Sequence, residues 1–262
     1  PTPYDPGAFA KPPGSEEVPP DASSQGEESA PPASSSQPDA PPPEESQEPP
    51  APSGDGSFTA LVPQGEWLPS TYFDDALFVG DSITEGIKLY DVMSNAKVLA
   101  STGVNLSTIF TKEAEEVGGS KVSIVDAARL EDPGKIYVLM GVNSMLSGKE
   151  DFIAGYGRLV DALREQHPDA VIYVQSILPV TAAYEAGASA VTTNAKIDEY
   201  NAAILDMCQE KELYYLNIAE AFKDDTGALP SEASPRDGIH FGRSWYMKWF
   251  DYLRAHGAPE IK

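Results

Sequence analysis

The chain has 262 residues, with 18 Lys+Arg against 41 Asp+Glu and a formal net charge of −23. That balance argues against a nucleic-acid or anionic-membrane binder, because no basic surplus exists to neutralise phosphates. Cys208 is the only cysteine, which excludes an internal disulfide, and no run of 18 apolar residues is present to span a bilayer.

The charge is unevenly spread. Residues 1–57 hold 16 of the 24 prolines, 11 acids and one base (Lys11), a net of −10 that leaves −13 for the 205 residues that follow. Only Tyr4, Phe9 and Val18 are sizeable apolar groups there. They cannot offset the entropy of ordering, so residues 1–57 read as a disordered, acidic, Pro-rich spacer. In an extended polyproline conformation the spacer reaches at most about 180 Å, at ~3.1 Å per residue. The chain begins at Pro1 rather than Met, and reads as a processed chain whose start, with any signal or anchor, has been removed. Residues 58–262 read as one domain, long enough to bury roughly 70% of its unfolded surface.

From Phe58 short apolar runs alternate with helical patterns. The runs are ALFVG (76–80), KVLA (97–100), KIYVLMG (135–141), VIYVQSIL (171–178) and LYYLNI (213–218). Each is continuous rather than alternating, as in strands buried on both faces. Between and after them lie three helical stripes: Phe152, Ile153, Tyr156, Leu159, Val160 and Leu163; then Ile197, Tyr200, Ile204 and Cys208; then Trp245, Tyr246, Trp249, Phe250 and Leu253. Strands alternating with helices predict a three-layer α/β/α sandwich around a central, mostly parallel five-stranded sheet.

In such a sheet, sites form in the loops that leave the carboxyl ends of the strands. There the sequence places Asp81-Ser82 after the first run, Ser101-Thr102-Gly103 after the second and Gly141-Val142-Asn143-Ser144 after the third. Asp237-Gly238-Ile239-His240 follows the fifth. Acyl transfer needs this kind of set: a hydroxyl nucleophile, an imidazole to take its proton, a carboxylate to orient the imidazole, and donors for the oxyanion. His167 and His256 sit at helix-terminal positions, and Cys208, Trp245 and Trp249 read as core. No metal-ligand spacing and no phosphate-binding glycine loop is present, so neither a metal nor a cofactor is expected. The long segment 179–194 is expected to line the site through Tyr184.

The stretch FVGDSITEG (78–86), with Gly103, Gly141-x-Asn143 and Asp237-x-x-His240 following in order, resembles the four blocks of the GDSL, or SGNH, hydrolase family. The resemblance spans residues 76–241 and implies that family's flavodoxin-like fold. It implies Ser82 as nucleophile, His240 as general base and acid, Asp237 as its partner, and an oxyanion hole made by Ser82, Gly103 and Asn143. Asp81, Ser144 and Tyr184 would line the substrate. Two features depart from the pattern: Ser144 stands where many members carry Asp, and the second block, TGVNLST, has fewer glycines. The expected activity is a cofactor-free serine esterase acting on a small-molecule or glycan ester, with a small acyl group such as O-acetyl. A non-hydrolysing glycan-binding module and an O-acyltransferase using the same residues are the alternatives. The spacer resembles those that follow the membrane anchor of Gram-positive surface proteins, which implies an extracellular domain tethered to membrane or cell wall. The oligomeric state stays open.

Overall fold

The computed structural model describes residues 58–258, so the spacer assigned to residues 1–57 and the last four residues lie outside it. Five strands form one parallel sheet: β1 (Ala76–Gly80), β2 (Lys97–Ala100), β5 (Lys135–Leu139), β6 (Val171–Gln175) and β7 (Tyr214–Leu216). Their order is β2-β1-β5-β6-β7. The first two match the predicted runs residue for residue, whereas the last three stop short of the predicted ends. The trimmed residues are those that turn out of the sheet at its carboxyl edge.

Side chains alternate between the two faces of the sheet, and each face carries its own core. Leu77, Val79, Ile136, Val138 and Val174 pack under α2 (Ile124–Ala128), α3 (Lys149–Gln166) and α5 (Asn194–Lys211). Phe78, Tyr137 and Tyr173 pack under α1 (Ser82–Leu89) and α6 (Arg243–Arg254). On this second face strand register makes a ladder: Phe78 lies opposite Tyr137, Tyr137 opposite Tyr173, and Tyr173 opposite Tyr214. Ring centroids are 4.8, 4.7 and 5.7 Å apart along it. Each such pair contributes roughly 0.2–1 kcal/mol and pins the register.

Three elements have no counterpart in the sequence pattern. The hairpin β3 (Glu115–Val117) and β4 (Ser120–Val122) is joined by Gly118-Gly119, both at positive φ. That dipeptide is a hairpin signal, but the flanking strands are largely exposed and show no apolar alternation. The five-residue α2 is capped by Ser123, whose hydroxyl accepts from Asp126 N–H. The four-residue α4 (Ala182–Glu185) lies in the long loop after β6. No helix among the described residues is long and apolar enough to cross a membrane.

Sequence-adjacent strands β1 and β2 run to one side while the chain crosses back over β1 to build β5, β6 and β7. The crevice at this reversal lies between the carboxyl ends of β1 and β5, where ligands bind in open α/β sheets. Gly80 pairs with Leu139 there. A Cβ on Gly80 would fall 2.0 Å from Thr84 Oγ1 and 2.5 Å from the Leu139 carbonyl oxygen, so only glycine lets the strand end turn this tightly into α1.

Candidate active site

Ser82 is the first residue of α1, and Asp81 is its N-cap. A buried Asp81 carboxylate accepts from Ile83 N–H at 3.0 Å and from Gly141 N–H at 3.3 Å, joining the β1 exit to the β5 exit. Burial raises this carboxyl from its usual 3.8 to about 6, and the two amide bonds only partly offset that.

His240 reaches the same point from the other end of the chain. Its Nε2 lies 2.9 Å from Ser82 Oγ, and its Nδ1 lies 2.8 Å from Asp237 Oδ2. The second Asp237 oxygen accepts from the amides of Ile239 and His240, both at 2.9 Å, and from the Ser234 hydroxyl at 3.1 Å. Partial burial pushes the Asp237 carboxyl up, but the His240 bond and the two amides outweigh it and hold the group well below the usual carboxylate range. A carboxylate at Nδ1 fixes the proton there, which leaves the Nε2 lone pair facing the serine hydroxyl.

Two turns complete the rim. Asn143 lies exposed in the 3₁₀ turn Val142–Ser147 that follows β5. Gly103, at φ +76°, lies in the turn after β2. That turn is held to the helix that Ser82 opens. Thr102 donates its N–H and its hydroxyl to Glu85 Oε2 at 2.7 and 2.6 Å, while Lys112 Nζ donates to the Thr102 carbonyl at 2.6 Å. Ser144 ties the two turns together, its buried hydroxyl accepting from Leu106 N–H at 2.9 Å.

Between these groups lies a pocket of about 50 Å³ that contains Ser82, His240, Asp81 and Asn143. Its apolar lining comes from Leu139, Val142, Ile177, Leu178, Pro179 and Ile239. A water-sized group needs roughly 10–15 Å³, so the pocket has room for a few of them. Among the described residues, no cluster of His, Cys, Asp or Glu is placed to hold a metal ion.

Ser82, His240, Asp237, Asn143 and Asp81 thus meet at one crevice, with the Gly103 turn anchored beside them. Two expected lining residues are not among those that line this pocket. Tyr184 packs against Gly238 behind the histidine loop, and its hydroxyl accepts from Val191 N–H. Ser144 faces the neighbouring turn because its hydroxyl satisfies a backbone amide there. Cys208 is fully buried, its thiol pushed up to about 12 by desolvation. Trp249 is core, donating Nε1–H to Gln175 Oε1 at 2.7 Å. Glu85 went unmarked by the sequence reading, although it stands one helical turn after Ser82 within the same block.

The model of the GDSL-like lipase/acylhydrolase family matches residues 78–246, more than half of the chain. The chain belongs to this family. The match takes in the end of β1, Ser82, both rim turns, the Asp237–His240 loop and the start of α6, so this GDSL hydrolase is an enzyme that acts on ester bonds. No curated protein matches it at a significant level. Among solved structures, a protein from Streptococcus pneumonia assigned as a platelet activating factor aligns with TM-score 0.56 at 19% identity, over 71% of this chain and 89% of its own. A G-D-S-L-family protein from Desulfitobacterium hafniense, assigned as lipolytic, aligns with TM-score 0.52 at 14% identity, over 68% and 97%. A GDSL-like lipase from Bacteroides thetaiotaomicron aligns with TM-score 0.50 at 15% identity, over 72% and 87%. At these identities the likeness to solved structures speaks for the fold of the GDSL hydrolase alone.

Proposed function

We propose that this GDSL hydrolase is a serine esterase that removes small acyl groups, such as O-acetyl on a carbohydrate, through an acyl-enzyme intermediate. The observation that carries this reading is the unbroken relay from Ser82 Oγ to His240 Nε2, 2.9 Å, and from His240 Nδ1 to Asp237, 2.8 Å. In this mechanism Ser82 Oγ forms a bond to the ester carbonyl carbon as its proton passes to His240 Nε2. The carbonyl oxygen becomes an oxyanion held by the amides of Ser82 and Gly103 and by the Asn143 side chain. The C–O bond to the alcohol then breaks, and the alcohol leaves with the proton from His240. Water repeats the sequence on the acyl-serine, releasing the acid and restoring the Ser82 hydroxyl.

Electrostatics favour these roles. The amino end of α1 carries a partial positive charge beside the developing oxyanion. The strongly ionised Asp237 stabilises the imidazolium that forms at each proton transfer. The pocket of about 50 Å³ supports a short acyl group. The acidic, Pro-rich composition of residues 1–57 supports a location outside the cell, tethered at its surface, where the ester would be an acylated glycan.

The test is turnover of p-nitrophenyl acetate by the wild-type protein and by Ser82→Ala at pH 7.5. The expected result is catalytic turnover by the wild type and a fall to background in the variant, a loss of at least ~10³-fold. Equal rates in both proteins would remove Ser82 from the chemistry.

A further inference from the structure

We infer that the segment 177–180, fixed from behind by Asn201 and Asn194 of α5, is a rigid gauge of acyl length, with Ile177 as its specificity-determining side chain. The inference rests on the reading of Ser82 as the nucleophile.

Strand β6 ends at Gln175, and beyond it the backbone is buried without a sheet neighbour for every group. Buried amides and carbonyls need partners, and α5 supplies them with side chains. Asn201 Oδ1 accepts from Ile177 N–H at 2.7 Å, while its Nδ2 donates to the Ile177 carbonyl at 2.9 Å. Asn194 does the same to Val180, both bonds being 3.0 Å, and its amide is in turn held by Glu185 at 2.8 Å. The two asparagines are seven residues apart, about two helical turns, and so share one face of α5. Each carboxamide stands in for a peptide group of a missing neighbouring strand.

The other side of the segment is tied to the loop that carries His240. Thr181 N–H donates to the Gly238 carbonyl at 2.9 Å, and Leu229 N–H donates to the Val180 carbonyl at 3.0 Å. Gly238 has φ +77°, and a Cβ there would fall 2.5 Å from both Thr181 Oγ1 and Tyr184 Cβ. The wall therefore cannot move away from the relay without breaking paired, buried backbone bonds, each costly to leave unmade. Ile177, Leu178 and Pro179 line the pocket from this fixed backbone. The Ile177 Cγ2 methyl lies 3.0 Å from the point a Cβ on Gly141 would occupy, so it closes the pocket against the turn that carries Asn143. A hydrophobic wall discriminates by about 10–200-fold per methylene. A wall that cannot retreat applies that discrimination to every longer chain.

The experiment measures kcat/KM for p-nitrophenyl acetate, butyrate and hexanoate with wild type, Ile177→Ala, Ile177→Val and Asn201→Leu. Wild type is expected to prefer acetate over hexanoate by at least about 10-fold. Ile177→Ala should shrink that ratio by about 10-fold or more, with Ile177→Val intermediate. Asn201→Leu, which keeps the volume and removes both backbone bonds, should also shrink the ratio, and by more than it lowers kcat on acetate. An Ile177→Ala enzyme with the wild-type ratio overturns the gauge, as does a wild type that takes hexanoate as readily as acetate. If Asn201→Leu does not fold, the two Ile177 variants still decide. Failure of the nucleophile reading looks different: Ser82→Ala would then hydrolyse all three esters at wild-type rates.

Discussion

The two faces of the central sheet hold the site by different means. Under α1 and α6 the contact is aromatic and buried. Phe78, Tyr137, Phe241, Tyr246, Trp249 and Phe250 interlock there, beneath the helix that starts at Ser82 and the helix that follows His240. Under α2, α3 and α5 the core is mostly aliphatic, and the loops above it are fixed by single polar side chains bonded to backbone. Asn201 and Asn194 hold the pocket wall, Ser144 holds the two rim turns together, and Glu85 reaches across from α1 to hold the Gly103 turn. Broad apolar packing fixes where elements lie, while directional hydrogen bonds to backbone fix how a loop is aimed. The prediction is that the aromatic face governs stability and the polar clamps govern rate and selectivity.

The largest stability effect should come from the aromatic face. Trp249 is fully buried and its indole N–H is the partner of Gln175 Oε1. Trp249→Ala should lower unfolding free energy by about 3–5 kcal/mol through lost packing and the cavity left behind. Trp249→Phe should cost less, mainly because Gln175 loses its partner. Denaturant titration checks both values. The contrast between faces breaks if kcat per folded molecule of Trp249→Phe falls as far as stability does.

Asp81 sits at the junction of the two modes, a buried carboxylate that clamps backbone on both sides of the reversal. Burial lifts its pKa from 3.8 to about 6, so the folded protein binds a proton that the unfolded chain has released between those values. This group therefore favours folding most below about pH 4. Its contribution declines by about 3 kcal/mol as pH rises through 6. Asp81→Asn has no such slope, although it adds a constant loss because the Nδ2 that replaces Oδ2 cannot accept from Gly141 N–H. Wild type should thus lose stability relative to the variant as pH rises from 4 to 7, measured by chemical unfolding at each pH. A difference that stays flat with pH would mean the carboxyl titrates as an exposed one.

This contrast also decides what the sequence made legible. The five apolar runs and the three helical stripes are packing signals, and they located the sheet, the main helices and, through the loops between them, Ser82, Asn143, Asp237 and His240. Polar clamps leave no such trace. Asn201 interrupts an apolar stripe between Tyr200 and Ile204, a visible anomaly, but nothing in the chain says that its partner is Ile177. Tyr184 was legible as part of a long loop at the right sheet edge. Its direction depends on Gly238, 54 positions later in the chain. Hairpin β3–β4 escaped because strands with two wet faces need no apolar alternation.

The smallest predicted effect is the sharpest test of the polar face, because it concerns one hydroxyl. Ser144 lies between the turn of Asn143 and the turn of Gly103, and its Oγ accepts from Leu106 N–H while its own carbonyl accepts from Ser147 Oγ at 2.8 Å. Ser144→Ala leaves the Leu106 amide unpaired in a buried position, which costs about 1–3 kcal/mol. If the hydroxyl only stabilises the fold, that loss appears in unfolding and kcat stays put. If it aims the two turns at the oxyanion, kcat should fall about 10-fold with KM nearly unchanged, because the interaction it supports is made in the transition state. Ser144→Asp keeps an acceptor at the same position and should recover most of the rate. A Ser144→Ala enzyme that is less stable but fully active would place the rim turns, like the helices α1 and α6, under the control of packing alone.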